Sequence, residues 1–213
     1  ARQVVAVELD SALIPVLHEV LAGQENVRVV QGDILEQDPA ALMSAGGYWV
    51  VANIPYYITS AVFRHLLEAR VRPCRMVLTV QREVAERICA GPGDMSLLAL
   101  SVQVYGQPRT AVRIPAGAFY PPPKVDSAVV RVDLGAEPRI PAEQLEDFFR
   151  LAKAGFSQKR KTLRNSLSGG LGWGAARAED LLRAAGVDPM RRAETLSLEE
   201  WGVLTAVYRQ KVG

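Results

Sequence analysis

What most narrows the possible folds of this chain is a rhythm: through its first two-thirds, short β-branched runs alternate with stretches of helical period. Val4–Glu8 reads as a buried strand, and Leu13, Val16, Leu17, Val20 and Leu21 recur behind it at helix spacing. Val27–Gln31 is a second strand, and Asp38-Pro39 then opens a short helix, since Asp caps and Pro suits the first helical position. Residues 48–52 form a third strand, followed by a helix with Val62, Phe63, Leu66 and Leu67 on one face. Residues 77–80 form a fourth, leading into a helix from Arg82, and another helix covers 96–105. This alternation predicts a mostly parallel sheet covered on both faces. The rhythm changes at 111–114 and 125–132, two β-rich runs separated by prolines 121–123, which suit a closing antiparallel pair at the sheet's edge. Residues 135–141 read as a linker. Beyond them the pattern is purely helical, through Leu145, Phe148, Phe149 and Leu151, then Leu181, Leu182 and Ala185. Ser197 and Glu200 have capping-box spacing before the last helix. The expected architecture is an α/β domain over 1–134, a linker over 135–141 and a small all-α domain over 142–213.

Composition excludes several classes. No apolar run approaches the ~20 residues that span a bilayer, and the first residues lack the sections of a secretory signal. Two cysteines, Cys74 and Cys89, have no partner motif, so a reducing cytosol is expected. His18 and His65 lie far from any Cys or carboxylate cluster, and no metal site is expected. The formal charge of +2 is too small to announce a nucleic-acid binder. The basic excess lies after residue 135 and gathers at Lys159, Arg160, Lys161 and Arg164, read as one helix. Such a cluster is usually a solvated face, and by itself only a hint of phosphate contact.

In an open parallel sheet, ligands bind beyond the carboxyl ends of the strands. There stand Glu8, Asp33 and Asn53. A carboxylate closing a strand can accept from both hydroxyls of a ribose, and Glu8 suits that role as well as it suits a capping acid. Asp33 can accept from an adenine amine while Ile34 packs on the ring, yet Gly32-Asp33 fits a turn equally well, and taken alone the turn reading wins. Asn53-Ile-Pro-Tyr56 shifts the balance. The lone pair of an adenine amine is delocalised into the ring, so the nitrogen is a poor nucleophile. Two acceptors gripping its N–H bonds favour a pyramidal nitrogen with the lone pair available. The Asn53 amide oxygen and the Ile54 carbonyl can be those acceptors, Pro55 stiffens the turn that aims them, and Tyr56 can stack on the base. As a bare tetrapeptide this is more often an ordinary strand-to-helix turn; after a buried strand with acids at two neighbouring strand ends, the chemical reading is favoured.

The blocks Val5-Ala-Val-Glu-Leu-Asp10, Gln31-Gly-Asp33, Asn53-Ile-Pro-Tyr56 and Val80-Gln-Arg-Glu-Val-Ala-Glu-Arg87 resemble those of the KsgA-type ribosomal RNA adenine dimethyltransferases. So do Phe119-Tyr-Pro-Pro-Pro-Lys-Val-Asp-Ser-Ala-Val-Val-Arg131, Phe156-Ser-Gln-Lys-Arg-Lys-Thr-Leu-Arg-Asn165 and Arg191-Arg-Ala-Glu-Thr-Leu-Ser197. The likeness covers nearly the whole chain. It implies a Rossmann-like class I methyltransferase domain plus a small all-α domain, and transfer of methyl groups from S-adenosylmethionine to two adjacent adenosines near the 3′ end of small-subunit ribosomal RNA. By position, Glu8 with Leu9 would hold the cofactor ribose, and Asp33 with Ile34 its adenine. Asn53, which also borders the cofactor, would hold the target base with Ile54, Pro55 and Tyr56, and Phe119 would form the pocket's other wall unless it is a core aromatic. Lys124, Lys159, Arg160, Lys161 and Arg164 would meet RNA. The resemblance further implies a cytoplasmic monomer with a role in small-subunit maturation.

The match departs in one place. The family's first strand, glycine-rich loop and following helix, which embrace the methionine end of the cofactor, have no counterpart here, so weakened cofactor binding is expected of this chain. Gly169-Gly-Leu-Gly-Trp-Gly174 looks like a cofactor loop but follows no strand, and reads instead as a helix–helix connection. Two rival functions remain: a large-subunit rRNA adenine methyltransferase of the macrolide-resistance type, and a non-catalytic RNA-binding assembly or transcription factor on the same fold.

Overall fold

The computed structural model describes residues 1–43 and 46–212. Its strands are Val4–Glu8 (β1), Val27–Gln31 (β2), Trp49–Asn53 (β3), Arg75–Gln81 (β4), Gly106–Ile114 (β5) and Ser127–Leu134 (β6). Between them run Ile14–Val20 (α1), Pro39–Leu42 (α2), Thr59–Leu67 (α3), Arg82–Ile88 (α4) and Leu97–Gln103 (α5). The Asp38 carboxylate caps α2 by accepting from Ala40 N–H at 2.9 Å, and the Ser96 hydroxyl caps α5 by accepting from Ala99 N–H at 3.1 Å. β3 and β4 are parallel, while β6 runs antiparallel between β4 and β5. The expected closing pair is thus present. β5 starts earlier than its β-rich run, because pairing of Gly106, Gln107 and Pro108 with Leu134, Asp133 and Val132 recruits residues of poor strand propensity.

The single sheet read from the sequence is divided in two. β1 and β2 form a parallel pair, and β3, β4, β6 and β5 form a second sheet. Among the described residues no strand bonds β1 to β3. Among the described residues, helices cover the second sheet on one face. Met76, Leu78, Val80, Val130 and Val132 are buried in one core with Phe63, Leu66 and Leu67 of α3, Ile88 of α4 and Leu100 of α5. Each such side chain contributes about 1.5–3 kcal/mol when fully buried. On the opposite face Trp49 is 61% and Val51 73% exposed, because α3, α4 and α5 all feed the same core. Arg75 lies over the Trp49 ring at 4.4 Å from its centroid. Arg75 and Arg131 share the Asp133 carboxylate at 2.5 and 2.8 Å. The hydrogen bond from Arg131, then that from Arg75, holds Asp133 below the usual carboxylate range against some opposing desolvation.

The remaining helices are Leu145–Phe156 (α6), Leu163–Leu171 (α7), Ala175–Ala184 (α8) and Leu198–Val212 (α9). Glycine is required where α6 and α7 approach, since a Cβ on Gly170 would lie 2.7 Å from Ala154. Gly172, at φ +67, then ends α7 in the left-handed conformation, so the glycine-rich run is a helix–helix connection. The 135–141 segment is bonded to the α/β part: Gly135 N–H donates to Tyr105 O at 3.1 Å, Arg139 N–H to Val104 O at 2.7 Å, and Ile140 is buried. Glu194 O accepts from both Gly93 N–H and Met95 N–H, at 2.9 and 3.1 Å.

The capping box forms: Ser197 N–H donates to Glu200 Oε2 at 2.8 Å, and Glu200 N–H to Ser197 Oγ at 3.2 Å. Arg191 binds both oxygens of Glu200, and this pairing lowers the Glu200 pKa. A depressed folded-state pKa means that the pair's contribution is complete above the ordinary Glu range and is lost as pH falls through the folded value. Glu200→Gln is expected to lower the melting temperature at neutral pH by about 2–4 °C, the shift ~1 kcal/mol gives in a chain of this size. It should also reduce the further loss on acidification. Identical acid sensitivity of the two proteins would show that the pair adds no stability.

Candidate active site

The turn after β3 is built to be stiff. Asn53 ends the strand opposite Thr79 of β4, and Ile54 sends its side chain into the core with 8% exposure. Pro55 has φ −56, and its carbonyl accepts from Ile58 N–H at 3.1 Å to start the 3₁₀ turn Tyr56–Ile58, which runs into α3. A buried residue and a proline thus fix the peptide between an exposed Asn and a half-buried Tyr. Opposite stands the loop between β5 and β6. Asn53, Ile54, Pro55 and Tyr56 line one open cleft together with Phe119, Tyr120, Pro121 and Pro123, and its volume is about 330 Å³. That lies within the ~300–1,000 Å³ of small-molecule sites. Phe119 is half-buried at the cleft rather than a core aromatic.

The two acids stand at the end of β1 and just beyond the end of β2. Glu8 ends β1 opposite Gln31, and Gly32 N–H donates to Glu8 O at 2.9 Å, which draws the loop after β2 toward the end of β1. Each acid uses one oxygen within its own turn; Asp33 does so as a turn aspartate, while Glu8 caps no helix, since α1 begins at Ile14 without a side-chain cap. Glu8 Oε1 accepts from Asp10 N–H at 2.8 Å, and Asp33 Oδ1 accepts from Leu35 N–H at 2.8 Å. These turns aim the carboxylates, and a second oxygen on each suits the hydroxyls or amine of a nucleoside. The residues therefore fit the ribose and adenine of S-adenosylmethionine. Leu9 is 62% exposed beside Glu8, whereas Ile34 is partly buried against the core. Neither acid lines the cleft at Asn53.

The basic residues are rearranged relative to the single helix expected. Lys159, Arg160 and Lys161 lie in the turn between α6 and α7, because α6 ends at Phe156 and Thr162 precedes α7. All three are exposed. Arg164 lies in α7 and is paired with Glu179 at 3.2 Å, while Glu179 also binds Arg183 at 2.7 Å. Lys124 is exposed directly after Pro123 at the cleft. Two further residues belong to the site. Tyr120 is fully exposed at the cleft mouth, and Ser127, fully buried, hydrogen-bonds the Tyr56 hydroxyl at 2.6 Å. A serine opening a β-branched strand was the available hint.

The family model described as ribosomal RNA adenine dimethylase matches residues 1–206. The ribosomal RNA small subunit methyltransferase A of Dehalococcoides mccartyi is 49% identical over 211 residues, covering 99% of this chain and 72% of that protein. The protein of the same name from Moorella thermoacetica is 41% identical, covering 96% of this chain and 75% of its own length. Among solved structures, the 23S rRNA methyltransferase ErmE aligns at TM-score 0.76 with 29% identity, covering 99% of this chain and 83% of its own. A dimethyladenosine transferase from Plasmodium falciparum aligns at TM-score 0.80 with 22% identity over the same shares, a likeness of fold. Motifs, cleft and the family match over residues 1–206 agree, and the chain belongs to the ribosomal RNA adenine dimethylase family.

Proposed function

We propose that the cleft between the Asn53–Tyr56 turn and the Phe119 loop holds the target adenine of small-subunit ribosomal RNA for N6,N6-dimethylation. The observation that carries this reading is the convergence of Asn53, Ile54, Tyr56 and Phe119 on one cavity from two segments far apart in sequence. S-adenosylmethionine supplies a methyl group already activated on a sulfonium, so positioning does most of the catalytic work and no strong base is required. Glu8 and Asp33 hold its ribose and adenine, with Leu9 and Ile34 alongside. The Asn53 amide oxygen and the Ile54 carbonyl accept the two N–H bonds of the adenine amine and leave its lone pair free to attack. Tyr56 and Phe119 clasp the ring. The adenosine must leave any stack to enter, and an open cleft lets the base return after the first transfer, when one N–H remains to be held. Lys159, Arg160 and Lys161 contact phosphate, with Arg164 contributing only those donors that Glu179 leaves free, and Lys124 meets the strand near the cleft. The chain works as a monomer in the cytoplasm.

Two rival readings are weaker. Large-subunit methylation shares the adenine chemistry, but the small-subunit enzyme of Dehalococcoides mccartyi is 49% identical to this chain against 29% for ErmE. A non-catalytic RNA-binding factor would not need an asparagine and an aromatic clasp converging on a base-sized cleft. Separated ribosomal subunits lacking the modification, incubated with the natural protein and labelled S-adenosylmethionine, distinguish these readings. Nuclease digestion of the small-subunit RNA is expected to release labelled N6,N6-dimethyladenosine. Label confined to large subunits would support the first rival, and RNA binding without label the second.

A further inference from the structure

The two walls of the cleft come from different segments, yet both are tied to two adjacent residues, the first of β6 and the one just before it. The Tyr56 hydroxyl is hydrogen-bonded to Ser127 Oγ at 2.6 Å, and Ser127 is fully buried as the first residue of β6. Its neighbours hold it on both sides, Gln81 of β4 and Ile114 of β5. Asp126, one residue earlier, binds the opposite wall: its Oδ1 accepts from Ala116 N–H at 3.1 Å, and the Ala116 carbonyl accepts from Phe119 N–H at 3.2 Å. Asp126 is itself clamped to the start of α4, its Oδ2 accepting from Arg82 Nη1 and its carbonyl from Arg82 N–H, each at 3.0 Å. An unbroken chain of bonds therefore runs from Tyr56 through Ser127 and Asp126 to Ala116 and Phe119.

We propose that Asp126 and Ser127 are positioning residues that fix the separation of Tyr56 and Phe119, and hence how well the cleft grips an adenine that has already received one methyl group. The physical case lies in what a tyrosine adds over a phenylalanine. The ring face alone supplies stacking, but a ring held only by its Cβ swings about the Cα–Cβ bond. A hydroxyl bonded at the far end stops that swing, and an O–H···O distance of 2.6 Å is at the strong end of the usual range. The unmodified adenine offers two N–H groups to Asn53 and Ile54, so hydrogen bonds share the work of orientation. The monomethylated base offers one, and stacking between walls of correct spacing must supply more of it. Loss of the anchor should therefore impair the second transfer more than the first.

This inference rests on the assignment of the cleft to the target base, and the test separates the two. A short unstructured RNA carrying a single 2-aminopurine reports stacking by quenching, without need of cofactor or turnover. Tyr56→Phe and Ser127→Ala remove the same bond from its two ends. Each is expected to weaken quenching-detected binding about 5–10-fold, and the double variant by about the same factor, since the two residues act as one unit. In the methylation assay the ratio of dimethyl to monomethyl product should fall in each variant. A general loss of folded protein would lower both products together. Should Ser127→Ala fail to fold, as far-UV circular dichroism would show, Tyr56→Phe still reads the same bond from the accessible side. Multiplicative effects in the double variant, or an unchanged product ratio in Tyr56→Phe, would overturn the positioning role. Absence of quenching by the parent protein, together with no binding of the same RNA carrying adenosine at that position, would instead overturn the base-site assignment, and this inference with it.

Discussion

Replacing Asn53 with alanine should lower methyl transfer about 10²–10³-fold, the loss typical when one preorganised polar group is removed from a reacting centre. Most of the loss should fall on kcat rather than on KM. The amide oxygen matters chiefly as the amine becomes pyramidal, whereas ground-state binding is carried by stacking on Tyr56 and by phosphate contacts elsewhere. Folding should be little affected, because Asn53 is exposed at the end of β3 and its neighbour Ile54 does the packing. Equal RNA affinity with lost turnover therefore marks an enzyme, and retention of activity marks a protein whose function is binding alone.

Neutralising Lys159, Arg160 and Lys161 together to glutamine should weaken RNA binding and flatten its salt dependence. Each phosphate contact contributes roughly 0.7–0.9 to the slope of log affinity against log salt, so three contacts account for a slope of about 2–3. Between 50 and 200 mM salt that is roughly a 20–50-fold change in affinity, which the triple variant should no longer show. Arg164→Gln should change the slope less, because its guanidinium is already paired with Glu179 and exchanging that partner for phosphate gains little charge. An unchanged slope in the triple variant would make the turn an ordinary solvated surface.

Much of this was legible in the chain itself, for identifiable reasons. Val4–Glu8, Val27–Gln31 and the buried face of α3 announce themselves because β-branched runs and a four-residue apolar stripe are local signals. Asp38, Ser197 and Glu200 do so because caps depend on residues only two or three positions apart. The basic cluster was misplaced onto one helix because the break between α6 and α7 at residues 157–162 carries no proline or glycine to mark it. At the site, Asn53-Ile-Pro-Tyr56 could be read as chemistry because its residue types are those an amine requires. The Ser127 anchor could not, because a hydrogen bond between residues 71 positions apart leaves no trace in spacing.

The central claim concerns one nitrogen, and it can be observed directly. RNA labelled with ¹⁵N at the amine of the target adenosine, bound to the natural protein, should show two distinct amino proton resonances shifted downfield. Asn53→Ala should return one of them toward its free position while the base stays bound. Amino resonances that match free RNA in the bound complex, or that do not respond to Asn53→Ala, would contradict the grip on which the mechanism depends.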